Sequence, residues 1–189
     1  MLPINIIVAS TKEMGIGFKG NLPWRLKSEL AFFSKMTKTT KDPTKRNAVI
    51  VGRKTWESIP EKNRPLKDRI NIVLSTQKLD LVPKSDDLFQ CSSFNEAVEA
   101  VNHPPLQSVI ESVWIIGGAV LYKKVIEEGL CDKIYWTEIM VDFECDTFMP
   151  KWSSDDFVEC EDASVPNDVQ EENGIKYKYK VFKKIATSC

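Results

Sequence analysis

The chain has 189 residues, a formal net charge of -1, 42% apolar residues and 28% charged ones. That length suits one domain with a real core, and so balanced a charge supplies no global field to gather nucleic acid or a membrane surface. No apolar run approaches the roughly 18 residues of a membrane span, and Met1 to Ser10 lacks the basic region of a signal peptide.

The cysteines Cys91, Cys131, Cys145, Cys160 and Cys189 form no Cys-x-x-Cys pair, and no Asn-x-Ser/Thr sequon occurs. Both features fit a reducing, intracellular setting, and a cytoplasmic location is expected. The lone histidine, His103, precedes Pro104-Pro105 in a loop. A zinc site or a histidine-based triad is therefore disfavoured. No metal is expected, and proton chemistry falls to a carboxylate.

Ile4 to Ala9 is short, apolar and β-branched, and reads as a buried strand. Met14 to Trp24 is loop chemistry, with Gly15, Gly17, Gly20, Pro23 and Trp24. A helix is predicted from Leu26 to Met36, where Leu26, Leu30 and Phe33 stand at i, i+4, i+7 with Glu29 on or beside their apolar face. Thr37 to Asn47 is polar and basic with a turn signal at Asp42-Pro43. Aromatic residues for base stacking are absent there, so it reads as a solvated loop.

Ala48 to Val51 is a second strand, followed by Gly52 and a short helix from Arg53 that Pro60 stops. After a polar loop, Arg69 to Leu74 is a third strand and Leu88 to Cys91 a fourth. Phe94 to Val101 has helical spacing with Ser93 as N-cap. Val113 to Ile116 is a strand that runs through Gly117-Gly118 into a helix, Ala119 to Glu128, stopped by Gly129. Ile134 to Val141, Phe157 to Cys160 and Ile175 to Phe182 complete the strands, the last with alternating lysines and a hairpin signal at Asn173-Gly174. The pattern predicts a single α/β domain, 1–189: a mostly parallel central sheet of roughly eight strands, helices on both faces and a C-terminal antiparallel hairpin.

Gly15-Ile16-Gly17-Phe18-Lys19-Gly20 matches Gly-x-Gly-x-x-Gly literally. The dinucleotide fingerprint also needs a helix opening from the last glycine, which Pro23 disfavours, so that reading is rejected. A mobile loop over a ligand and a plain surface turn both remain open. Two other junctions have better context. Val51-Gly52-Arg53-Lys54-Thr55 and Ile116-Gly117-Gly118-Ala119 each join a strand to a helix start through glycine. Free N–H groups favour anions at helix starts, and glycine lets a diphosphate approach the backbone. Ser75-Thr76 ends a third strand. These junctions suit a phosphate-bearing cofactor, or are ordinary glycine turns; Arg53 and Lys54 would suit the extra phosphate of NADP(H). Glu29 likewise admits two readings. It is an i, i+4 ion pair with Arg25, or a buried carboxyl whose raised pKa lets it hold a proton near neutrality.

Taken together, several segments resemble dihydrofolate reductase of the monofunctional animal type: Asn5 to Ala9, Met14 to Gly17, Leu22-Pro23-Trp24, Gly52 to Trp56, Ser58 to Lys67, Trp114 to Gly118, Asp142-Phe143-Glu144, Asp146-Thr147-Phe148, Asp168 to Glu172 and Gly174 to Lys178. They span nearly the whole chain in family order. The resemblance implies reduction of 7,8-dihydrofolate to tetrahydrofolate by NADPH, in support of one-carbon metabolism and thymidylate synthesis, with antifolates as inhibitors. It also implies a monomer that needs no nucleic acid or membrane partner.

By the same resemblance, Glu29 would be the acidic group of the pterin pocket, with Thr137 hydrogen-bonded beside it and Leu22 and Trp24 close to the chemistry. Ile7, Leu30, Phe33, Ile59, Leu66 and Ile116 would line the folate site, with Ser34 and Asn63 at its margin. Arg69 would hold the α-carboxylate of the glutamate tail. Ala9, Ile16, Leu22, Gly117, Gly118 and Tyr122 would contact the nicotinamide ribose and diphosphate. Gly15, Gly17, Gly20 and Asn21 in the loop, and Ala119, Val120 and Leu121 after Gly118, would lie against the same cofactor. Arg53, Lys54, Thr55, Ser75 and Thr76 would hold the adenosine phosphates, flanked by Leu74 and Gln77.

Four positions depart from the vertebrate pattern. The span from Trp24 to Glu29 is one residue shorter, as in bacterial members. Leu30 stands where vertebrates carry an aromatic residue, Thr76 replaces an arginine, and Asn21 replaces an aspartate. Two rivals remain: another NADPH reductase on the same fold, and a non-catalytic folate- or nucleotide-binding module. Arg69 and the Asn63 to Leu66 loop favour a folate tail, and an intact Glu29 and Thr137 favour catalysis.

Overall fold

The structure is a computed structural model that describes residues 1–81 and 84–187; Cys189 lies outside the described residues. In chain order the elements are β1 (Ile4–Thr11), β2 (Gly15–Gly17), α1 (Lys27–Lys38), β3 (Arg46–Gly52), α2 (Arg53–Ser58), β4 (Arg69–Leu74), β5 (Leu88–Cys91), α3 (Phe94–Val101) and α4 (Leu106–Val109). There follow β6 (Ile110–Ile115), α5 (Ala119–Glu127), β7 (Lys133–Ile139), β8 (Thr147–Phe148), β9 (Phe157–Cys160), β10 (Gln170–Glu172) and β11 (Ile175–Lys184).

One sheet carries the strand order β10-β11-β7-β1-β6-β3-β4-β5, with β9 also paired to β11. From β7 to β5 every neighbour is parallel. Parallel pairing needs crossovers, which α1, α3 and α5 supply. β11 joins the edge of β7 antiparallel and folds back on β10. The turn residues Asn173 and Gly174 have φ of 52° and 75°, the positive pair that a two-residue type I′ hairpin requires.

Period two divides the core. Ile4, Ile6 and Val8 of β1 pack with Phe94 and Ala97 of α3 and Leu121 and Val125 of α5. Ile7, one residue out of phase, packs on the other face with Leu26 and with Met36 of α1. Val51 and Val73 meet Trp56 of α2, so helices cover both faces as the alternation predicts.

Several boundaries move. α1 starts at Lys27 and runs to Lys38, two residues beyond the predicted end, because the Thr37 hydroxyl bonds back to the Phe33 carbonyl at 2.8 Å instead of breaking the helix. β6 starts at Ile110 and stops at Ile115, and β7 stops at Ile139 rather than Val141. The glycine loop is not wholly loop: Gly15–Gly17 pairs with Thr147–Phe148 as a small second sheet. So short a strand, two-thirds glycine, carries no readable period. The predicted apolar face of α1 also splits: Leu26 is buried in the core, whereas Leu30 is 50% exposed. Among the described residues no helix is long and apolar enough to cross a membrane.

Candidate active site

Strand order reverses between β1 and β6, so the carboxyl ends of β1, β3, β4 and β6 converge there, with β7 alongside. In open α/β sheets this is where ligands bind. Residues far apart in sequence meet for that reason.

Glu29 sits in the first turn of α1 and is 7% exposed. Thr137 of β7, which stands opposite Ala9 of β1 in the pairing, donates its hydroxyl to Glu29 Oε1 at 3.2 Å. No ion pair among the described residues includes Glu29, so the Arg25 pairing is not formed. Burial, only partly opposed by the Thr137 hydrogen bond, pushes the carboxyl up to about 7. Trp24 is buried nearby in the chain, its ring 5.8 Å from that of Phe143, and its Nε1–H has no hydrogen-bond partner among the described residues. A buried donor without a partner costs free energy unless a ligand or water meets it.

Ile7, Phe33, Leu66 and Ile116 belong to one apolar cluster with Trp24 and Ala9. Ile59 packs instead on Trp56 and Val73, in a cluster that shares Ile116. Ser34 is half-buried, Asn63 is exposed at a turn, and Leu30 is in neither cluster.

Arg69 is 5% exposed. Its Nε–H donates to the Lys67 carbonyl at 2.9 Å and its Nη1 to the Thr37 hydroxyl of α1 at 2.8 Å. It makes no ion pair among the described residues, and burial lowers its pKa against the opposing charge of Asp68. A guanidinium this buried is orientated by its two neutral partners and has Asp68 only as a distant charge, so an anionic ligand would supply the contact ion pair. The fully buried Asn71 accepts from the Leu66 amide at 2.8 Å and donates to the Leu66 carbonyl at 2.9 Å, which fixes the loop before Arg69.

At the other end of the cleft the two glycine junctions touch: the Gly52 amide donates to the Gly117 carbonyl at 2.8 Å. A Cβ at Gly118 would lie 3.0 Å from Thr55 Oγ1, and one at Gly52 would lie 3.6 Å from the Gly117 carbonyl oxygen. Gly117 has φ of 115°, and the Gly117–Gly118 peptide is cis. The result is a cradle lined by backbone, with α2 and α5 starting beside it; it fits a diphosphate-bearing cofactor. Arg53 makes an exposed pair with Glu57 at 3.7 Å, and Lys54 is exposed. The buried Tyr122 donates to the Ile7 carbonyl at 3.0 Å, so it ties α5 to β1. Ala119 is half-buried, Val120 is 85% exposed and Leu121 is packed in the main core. The Ser75 hydroxyl donates to the Gln77 carbonyl and accepts from the Gln77 amide, closing a turn; Thr76 is exposed and Leu74 half-buried.

The glycine loop is a small hairpin. Phe18 and Asn21 exchange backbone hydrogen bonds of 2.8 and 3.0 Å around Lys19 and Gly20, whose φ values are 49° and 78°. No helix opens from Gly20, in keeping with the rejection of the dinucleotide fingerprint. Gly15 is packed so tightly that a Cβ would fall 2.5 Å from Cys145 Sγ, while Ile16 and Gly17 are half-buried and Leu22 is 51% exposed. Asp146 accepts from the Lys19 amide at 2.9 Å and anchors the tip. No role was read for Asp146 or Asn71 in the sequence. Asp146 is 127 residues from its partner, so local spacing carries no signal for it.

A family model described as dihydrofolate reductase matches residues 3–184. The dihydrofolate reductase of Drosophila melanogaster is 47% identical over 97% of this chain and 99% of the fly protein. That of Aedes albopictus is 45% identical over 98% and 99%. Among solved structures, Schistosoma mansoni dihydrofolate reductase superposes with a TM-score of 0.84 at 37% identity, covering 96% of this chain and 98% of that one.

Proposed function

The chain belongs to the dihydrofolate reductase family, and on that premise we propose that it reduces 7,8-dihydrofolate to 5,6,7,8-tetrahydrofolate with NADPH in the cleft that runs from Glu29 to Gly118. The observation that carries the reading is Glu29, a buried carboxyl whose one side-chain hydrogen bond among the described residues is to Thr137. An acid with a pKa near 7 is half protonated at neutral pH, the state in which it best serves proton chemistry.

When bound, the nicotinamide supplies the hydride, which goes to pterin C6. Glu29 accepts hydrogen bonds from the pterin's amino and ring N–H groups and so fixes the ring. Its raised proton affinity lets it hold or relay a proton near neutrality, and delivery to pterin N5 would run through water. Thr137 sets the orientation of the carboxylate. Ile7, Phe33, Leu66 and Ile116 exclude water around the ring, and Leu30 lies open to it. Arg69 pairs with the α-carboxylate of the glutamate tail, which supports a folate over a bare pterin or a pyrimidine. Gly52, Gly117 and Gly118 would admit the diphosphate, and Arg53 and Lys54 would hold the 2′-phosphate that separates NADPH from NADH. The loop from Gly15 to Leu22 covers the nicotinamide end. Antifolates occupy the same pterin pocket. The enzyme acts as a monomer in the cytoplasm, a placement that the scattered cysteines and the lack of an Asn-x-Ser/Thr sequon support.

The test is loss of absorbance at the NADPH band on addition of dihydrofolate, and its arrest by an antifolate. No folate-dependent oxidation of NADPH would overturn the reading.

A further inference from the structure

The helix that carries Glu29 has no cap of its own. Its N-cap position is Leu26, whose apolar side chain cannot accept from the free amides of the first turn. Those amides are met from the far end of the chain. Glu172 Oε2 accepts from the Lys27 amide at 2.6 Å, and Glu172 Oε1 accepts from the Ser28 amide at 2.9 Å and the Ser28 hydroxyl at 2.7 Å. The partners are 145 and 144 residues apart. These bonds hold the Glu172 carboxylate below its ordinary pKa. It is therefore charged at neutral pH and complements the positive end of the helix dipole.

The support for Glu172 is rigid. It ends β10, one residue before the Asn173-Gly174 turn, and pairs with Ile175 of β11. From β11, Tyr179 stacks on Phe32 of α1 with ring centroids 3.9 Å apart, and Tyr179 stands opposite Thr137 of β7 in the ladder. The C-terminal hairpin thus grips α1 at its first turn and at Phe32, while Thr137 of the adjoining β7 holds the Glu29 carboxylate. Around this contact stand Lys27 on α1, Tyr177, Tyr179 and Glu172 on the hairpin, and Tyr122 on α5.

We propose that Glu172 is a positioning residue for Glu29: by clamping the first turn of α1 to the C-terminal hairpin it sets where the Glu29 carboxyl meets Thr137 and how little water reaches it. The inference rests on the role given to Glu29 above. Glu29 is two residues into the helix from Lys27, so a frayed first turn would swing it from the apolar pocket toward solvent.

The experiment is a titration of the Glu29 carboxyl by carbon-detected NMR on glutamate-labelled protein, assigned with Glu29→Gln, in the wild type, Glu172→Ala and Glu172→Gln. In Glu172→Ala the Glu29 midpoint should fall by about one pH unit, a tenfold change in proton affinity, and turnover at pH 7 by about tenfold, as misplacement of a reacting group implies. Glu172→Gln removes the charge but keeps one of the two acceptor oxygens for the first turn, so its displacement should be clearly smaller than that of Glu172→Ala in both readouts. An unmoved Glu29 midpoint in Glu172→Ala, with only the thermal midpoint lowered, overturns the positioning role. So does a Glu172→Gln midpoint displaced as far as that of Glu172→Ala, because charge alone would then account for the effect. The titration needs no substrate. Absence of dihydrofolate reduction by the wild type would count against the proposed function instead, and the midpoints would still decide this point.

Discussion

At Glu29 a single carboxyl is enclosed by groups from α1, β7 and the C-terminal hairpin; at the start of one short helix Lys54 is exposed and Arg53 half-buried. The first arrangement draws its chemistry from what surrounds it. Desolvation there moves a carboxyl to about 7. The second draws on its local sequence, glycine then cations, and on a neighbouring junction of the same design that hydrogen-bonds to it. Transforming a proton needs a tuned pKa, hence burial. Holding a phosphate needs donors and access, hence exposure. Arg69 lies between the two: buried like Glu29, but a guanidinium, which stays charged by its own basicity and is orientated by two neutral partners.

The comparison implies that removing charge at the enclosed end costs far more than at the open one. Glu29→Gln should lower turnover at pH 7 by about 10²–10³-fold, the usual worth of a positioned proton donor. The deficit should shrink at acidic pH, where the substrate is itself partly protonated. Steady-state rates across pH test this, and unchanged turnover at neutral pH would remove Glu29 from the chemistry.

The same enclosure has a stability signature. Folding raises the Glu29 pKa from 4.5 to about 7, so the folded chain holds that proton more tightly than the unfolded one. Its contribution to stability is complete below pH 4.5 and is lost as the pH rises through 7. Glu29→Gln has no charge to bury. Relative to the wild type it should gain about 3 kcal/mol of unfolding free energy between pH 4 and pH 8, a bit over two factors of ten. Urea unfolding at the two pH values measures the difference; a constant offset would show that Glu29 is not desolvated in solution.

Arg69→Leu should raise the dihydrofolate KM by about 30-fold, within the range for loss of a buried charged contact, and leave NADPH affinity within twofold. An equal loss of both ligands would contradict the division of the cleft. The smallest effect belongs to the open end. Arg53→Ala with Lys54→Ala should narrow the preference for NADPH over NADH by about tenfold, because exposed ion contacts are each worth at most about 1 kcal/mol. That narrowing should fade as salt is added, since exposed charges are screened. A preference that persists would place the 2′-phosphate contact elsewhere.

How much of this was legible in advance follows the same division. The two glycine junctions could be read because strand, glycine and helix start are consecutive. β4, β5, α3 and β9 were read to their end residues because each is bounded by turn or capping signals, such as Ser93, which accepts from the Glu96 amide. Glu29 was placed beside an apolar face by spacing, but spacing alone left an Arg25 pair open, and its assignment to the pterin pocket came from the family resemblance. That Leu30 is half-exposed while Leu26 is in the core could not be read, since helical spacing put both on one face whereas Leu26 is the extended N-cap residue, outside the helix.

The sequence by itself determined the α/β class, the parallel core strands, the hairpin at Asn173-Gly174 and the family, because these rest on local periods, turn residues and motifs. Tertiary structure alone decided the charge state of Glu29, the two neutral contacts that orient Arg69, the Asp146 anchor of the glycine loop and the Glu172 clamp on α1. Each of those depends on desolvation or on a hydrogen bond between segments that only the folded sheet brings together, and neither leaves a mark on local spacing.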